Sequence, residues 1–160
     1  QIQARYALSL AAQGRSMDEV ADAVEAVKGR VHLIALLDTL EYLKRGGRIS
    51  GAAALAGGIL SIKPVITIRD GAVALIGKAR GSKNGNNLLS QMVEKYGVDF
   101  SMPYMLGYTG LNDTMLQKYK ADSARLWVGH ADDLPSMIIG SVVGTHAGPG
   151  AIGVAFFGNE

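Results

Sequence analysis

The chain has 160 residues, 48% of them hydrophobic and 19% charged, which suits one domain with a buried core and excludes a disordered chain. Its 16 basic and 14 acidic residues are interspersed and leave a net charge of only +2, which argues against a nucleic-acid-binding surface; the absence of cysteine excludes disulfides, thiolate metal sites and a cysteine nucleophile. No apolar run reaches the roughly 18 residues of a spanning helix and nothing at the start reads as a signal peptide, so a cytoplasmic protein is expected.

Gln1 to Gln13 reads as a helix entered part-way along, without a capping signal, so the chain is expected to be a piece of a longer one. Gly14-Arg15-Ser16 breaks that helix, and Ser16-Met17-Asp18-Glu19 then forms a capping box in which Ser and Glu satisfy each other's backbone N–H groups. Met17, Val20, Val24 and Val27 follow at helical spacing and predict one packed face. Val31 to Leu37 is a short apolar run, a buried strand in which His32 is structural. Asp38-Thr39 caps the next helix, Lys44-Arg45 suits its C-terminal turn, and Gly46-Gly47 ends it with Arg48 at the exit. Ser50 opens a further small-residue helix that runs to about Ile59.

Val65 to Ile68 and Ala72 to Ile76 flank Asp70-Gly71, a turn signal that predicts a hairpin. Gly77 to Lys83 reads as a basic exit loop. Leu88, Leu89, Met92, Val93 and Tyr96 mark a helix closed by Gly97. Strands are expected at Pro103 to Tyr108, Arg125 to Val128 and Ile152 to Phe157, with a helix from Asn112 to about Asp122. Because the hairpin is antiparallel within an alternating pattern, the expected fold is α/β, a mixed, partly antiparallel sheet with covering helices.

Gly148-Pro149-Gly150-Ala151-Ile152-Gly153 spells G-x-G-x-x-G, but a strand-like run follows it instead of a helix, and no acidic residue stands about 20 positions on. There is no P-loop. Gly144, Gly148 and Gly150 bracket His146. One reading has this histidine bonding a neighbouring carbonyl to hold a loop; the other has it binding a carboxylate or phosphate that the glycines allow close to the backbone. No serine elbow or orienting acid accompanies it, so a catalytic triad is not expected. His130 with Asp132 and Asp133 is a weak metal pattern and reads as solvated. Lys44, Arg45, Lys78 and Lys83 read as ordinary solvated charges. Arg48 and Arg80 sit at element junctions between glycine and apolar residues, where arginine suits capture of a carboxylate or phosphate.

Leu40 to Ser50, then Ile62-Lys63-Pro64 leading into the Asp70-Gly71 hairpin, then Lys78-Ala79-Arg80-Gly81, then Gly144 to Ala151 form an ordered set. In order and spacing this set resembles the second, C-terminal domain of the DegV family of bacterial fatty-acid-binding proteins, from about Ala4 onward. The resemblance implies a carrier: two α/β domains hold one long-chain fatty acid in their cleft and present its carboxylate to a partner fatty acid kinase, which phosphorylates it. The carrier itself would be no enzyme and would need no cofactor or metal. His146, with Gly144 and Thr145 beside it, falls on the family histidine near the ligand carboxylate, and Arg48 and Arg80 fall on arginines placed for the kinase encounter. Residues 1–29 match closing helices that follow an N-terminal domain absent from this chain, and 30–160 match the C-terminal α/β domain. The family's carboxylate-gripping Thr and Ser belong to that absent domain. Two other functions stay open: an enzyme domain using His146 and the glycine-rich loop as a phosphate nest, and a dimerisation domain pairing through an exposed apolar face, which would make the piece a homodimer.

Overall fold

The apolar run that begins at Val31 forms strand β1 (Val31–Leu36), which takes hydrogen-bonded neighbours on both sides and stands inside a six-stranded sheet. The computed structural model describes residues 1–49, 62–130 and 134–159. Around β1 the helices and strands are α1 (Ile2–Ala12), α2 (Met17–Val27), α3 (Glu41–Arg45), β2 (Ile62–Arg69), β3 (Ala72–Arg80), α4 (Ser82–Tyr96), β4 (Met105–Tyr108), α5 (Thr114–Asp122), β5 (Ser136–Ile138), α6 (Ser141–Ala147) and β6 (Ile152–Phe157). The strand order is β3-β2-β1-β6-β4-β5, antiparallel throughout except for β4 with β5. This is the expected mixed sheet with covering helices.

Local chemistry accounts for most boundaries. The Ser16–Glu19 capping box closes the start of α2 in both directions. Asp70 (φ 51°) and Gly71 (φ 75°) are both left-handed, the pair a two-residue hairpin turn requires. Several expectations differ. Residues 125–128 are turn, not strand, because the amides of Leu126, Trp127 and His130 bond carbonyls three residues back, and Trp127 Nε1 donates to Ser123 Oγ at 3.1 Å. The basic exit loop is largely strand and helix: β3 stays paired with β2 as far as Arg80, and α4 starts at Ser82. Met17 is exposed, and α2 buries none of its residues fully. Finally, β5 and α6 were not foreseen, since β5 has only three residues and Val142, Val143, Gly144 and Thr145 are poor helix formers. The small-residue helix expected from Ser50 to Ile59, and Asp132 and Asp133, lie outside the described residues.

Strand alternation gives the sheet two unlike faces. One carries Ile34, Leu36, Leu106, Ile152, Val154 and Phe156, covered by Leu89 and Val93 of α4, Leu116 and Tyr119 of α5, and Trp127. His32 belongs to this side, its ring 4.7 Å from Tyr96 and 5.5 Å from Phe156, and burial pushes its pKa below the ordinary histidine value. Among the described residues, the other face is covered only at its ends. At one end Ile2 of α1 packs on Met105 and Phe157; at the other lie α3 and α6. Between them the strands present Ala35, Gly107, Gly153 and Ala155, with Leu33 left 40% exposed.

The asymmetry has a measurable consequence. In urea unfolding, Phe156→Ala should cost about 3–5 kcal/mol, the usual loss for a fully buried phenylalanine. Leu33→Ala, one register position away but on the open side, should cost less than about 1 kcal/mol. Equal losses would make the open face part of the folding core.

Candidate functional site

The two glycine-marked segments, Gly46-Gly47 and Gly144 to Ala151, meet in the structure. Helix α3 ends in a Schellman arrangement: the Arg48 amide bonds the Leu43 carbonyl at 2.8 Å, the Gly47 amide bonds that of Lys44 at 3.0 Å, and Gly47 is left-handed at φ 69°. That turn presses Gly46 against the His146 ring so closely that a Cβ on Gly46 would stand 2.1 Å from Nδ1. Gly148, just past α6, meets the Tyr42 ring in the same way, with an added Cβ 2.3 Å from Cδ2. Each glycine therefore accommodates a ring from the other segment.

Beyond α6 the loop is clamped by Thr109, a residue the sequence did not single out. Its hydroxyl donates to the Gly148 carbonyl and accepts from the Ala151 amide at 2.9 Å, while its carbonyl accepts from the Gly150 amide at 3.1 Å. The Gly148 amide bonds Gly144, and Pro149 has none. Every amide of the G-x-G-x-x-G loop before β6 is thus consumed internally, so it forms no phosphate nest. Among the described residues there is also no group of three side chains suited to a metal ion, and no helix long and apolar enough to cross a membrane.

Two apolar pockets of about 280 Å³ each lie on the open sheet face. The first is walled by Ile2, Met105 and Met137; the second by Leu43, Arg48, Val142, Val143, His146 and Ala147. Residues 142, 143, 146 and 147 share one helical face, which aims α6 at the pocket. His146 is half-buried, and its Nδ1 is buried without a hydrogen-bond partner among the described residues. With Nδ1 buried against Gly46, Nε2 is the ring nitrogen left to meet a ligand. Arg48 lines the same pocket, exposed, its Nη1 donating to the Gly46 carbonyl at 2.7 Å.

The other singled-out residues lie outside this wall. Thr145 is exposed, with its hydroxyl on the Ser141 carbonyl at 2.8 Å, and Gly144 faces Thr109 and the Ile139 carbonyl. Arg80 ends the edge strand β3, exposed and outside both pockets. Leu33, Ala35, Gly107 and Ile139 went unremarked, and Gly153 was noted only within the G-x-G-x-x-G run; the signal was small residues within strands, Ala35, Gly107, Gly153 and Ala155.

The family model for the DegV family of uncharacterised proteins matches residues 1–159. The chain belongs to the DegV family. A DegV domain-containing protein of Deinococcus radiodurans is 35% identical over 157 residues, covering 96% of this chain and 54% of that relative. One from Clostridium acetobutylicum is 34% identical, covering 92% and 50%. This chain thus spans about half the length of the curated relatives it matches. Among solved structures, the Streptococcus pneumoniae Fatty Acid Kinase (Fak) B3 protein loaded with linoleic acid superposes with a TM-score of 0.85 at 22% identity, over 98% of this chain and 55% of that one. A fatty-acid-binding DegV family protein from Thermus thermophilus gives 0.73 at 26% identity, over 98% and 56%. The sheet and helices described above are the DegV fold.

The glycine–histidine contact can be tested in this DegV domain alone. Gly46→Ala should lower unfolding stability by about 1–3 kcal/mol, as expected for overpacking. Most of that loss should return in the Gly46→Ala, His146→Ala double variant, giving a clear coupling energy. Simple additivity of the two losses would mean that the two residues do not touch.

Proposed function

We propose that this domain is one half of a cytoplasmic fatty-acid carrier. The alkyl chain of a long-chain acid lies along the open sheet face, its carboxylate meets His146, and the rest of a longer protein closes the cleft from above. On this reading residues 1–29 lead out of a preceding domain and 30–160 form the C-terminal one. The supporting observation is the apolar trough itself: a sheet face covered at both ends, floored by alanine and glycine beside Leu33, with the His146 ring at one end. The fatty acids bound by the Streptococcus pneumoniae and Thermus thermophilus proteins, which share the fold, favour the same class of ligand.

The energetics suit a carrier. Burying a C16 acyl chain at about 0.8 kcal/mol per CH₂ offers roughly 12 kcal/mol, provided the cleft closes over it. In this domain alone Val142 and Val143 stay 79% and 60% exposed, so most of that gain waits for the cover. The His146 ring then supplies an N–H donor for the carboxylate, and Arg48 at the pocket wall supplies positive charge on the exposed side. From that side a partner fatty acid kinase would reach the head group, with Arg80 as a separate, more distant docking charge. The internally bonded glycine loop disfavours the phosphate-binding alternative.

In the full-length protein, His146→Ala should weaken palmitate binding by about 1–3 kcal/mol, the cost of leaving a buried carboxylate short of one donor. Acyl burial would still retain some lipid. Calorimetric titration alongside a melting curve separates the outcomes: a lower melting temperature with unchanged affinity per folded molecule would remove His146 from the head-group site.

A further inference from the structure

Among the described residues the two pockets share three: Leu33, Ile139 and Gly153. Gly153 lies in the central strand β6, opposite Ala35 of β1 on one side and Gly107 of β4 on the other. A Cβ built on it would stand 3.8 Å from Leu33 Cδ1 and 4.0 Å from Ile139 Cδ1, so two branched side chains from opposite directions lean over this bare position. Ile139 also lies tightly on Gly107 of β4, whose own added Cβ would meet Ile139 Cγ1 at 3.0 Å. Its backbone is held as well, the Ile139 amide bonding the Tyr108 carbonyl at 2.7 Å.

We infer that Leu33 and Ile139, standing over Gly153, form a waist that joins a head pocket at His146 to a tail pocket at Ile2, Met105 and Met137. The waist decides how long an acyl chain this site can hold. This inference rests on the carrier reading and adds to it the residues that set chain length. The tail pocket is poorly suited to that task, because Met105 and Met137 have flexible, polarisable side chains that adapt to whatever arrives. The waist discriminates because its passage depends on a missing side chain. A chain that stops short of Gly153 uses the head pocket alone; a longer one must cross the glycine to bury its remaining methylenes.

The test is a titration of the full-length protein with saturated acids from C8 to C18. The unsubstituted protein should gain about fourfold in affinity per added CH₂ until the tail pocket is full. In Gly153→Val, whose branched side chain suits a strand and fills the waist, the gain should stop at an intermediate length and the curve run flat beyond it. Leu33→Phe, placed at a half-exposed position, should give the same plateau and covers the case in which Gly153→Val does not fold. Gly153→Ala makes only ordinary contacts and should leave the series unchanged. A Gly153→Val or Leu33→Phe series that superposes on, or runs parallel to, the unsubstituted one overturns the waist while leaving the carrier intact. No binding of any acid by the unsubstituted protein overturns the carrier reading and the waist with it.

Discussion

Across β1, β6 and β4, Leu33 stands beside Ala155 and Met105, and Ala35 beside Gly153 and Gly107. An ordinary sheet face in these positions would carry branched side chains and bury them under a helix. Here, among the described residues, the middle of the face is nearly bare. Among the described residues, α1 packs on one end of this face and the α3–α6 pair on the other. Stability then has to come from the opposite face, where Phe156, Trp127, Tyr119 and the strand residues around them are fully buried. The two faces thus differ in burial: one carries the main core, and the other is covered at its ends among the described residues.

Holding a polar group at the rim of an apolar trough requires its scaffold to be rigid. His146 sits in the last turn of a seven-residue helix of weak propensity, which would fray if left alone. Two contacts hold it: Gly46 and Tyr42 of the α3 region pack against His146 and Gly148, and Thr109 clips the loop beyond them from the end of β4. The glycines that look in the sequence like a phosphate-binding loop are thus steric devices that bring rings and backbone together. Their amides serve the fold.

The residues show unevenly how much of this was legible. The hairpin, the last strand and the Ser16–Glu19 cap came straight from alternation and turn chemistry, because those signals are local. Residues 125–128 misled because Val128 and Trp127 have strand-like character, whereas the surrounding amides had already formed short-range turns. The site was only half visible. His146 and the glycines drew notice as oddities, but that they face Gly46 across almost a hundred residues depends on how α3 and α6 dock. The trough was harder still: Ala35, Gly107 and Gly153 are unremarkable one at a time and acquire meaning only when register lines them up across three strands. Thr109 gave no signal, since its role lies in four hydrogen bonds to a distant loop.

The most direct measurement is a crystal structure of the full-length protein grown with palmitate. The account predicts continuous alkyl density over Gly153, passing between Leu33 and Ile139, with the carboxylate within hydrogen-bond reach of His146 Nε2. Density placing the acid on another surface, or a carboxylate turned away from His146 toward Met105 and Met137, would contradict it.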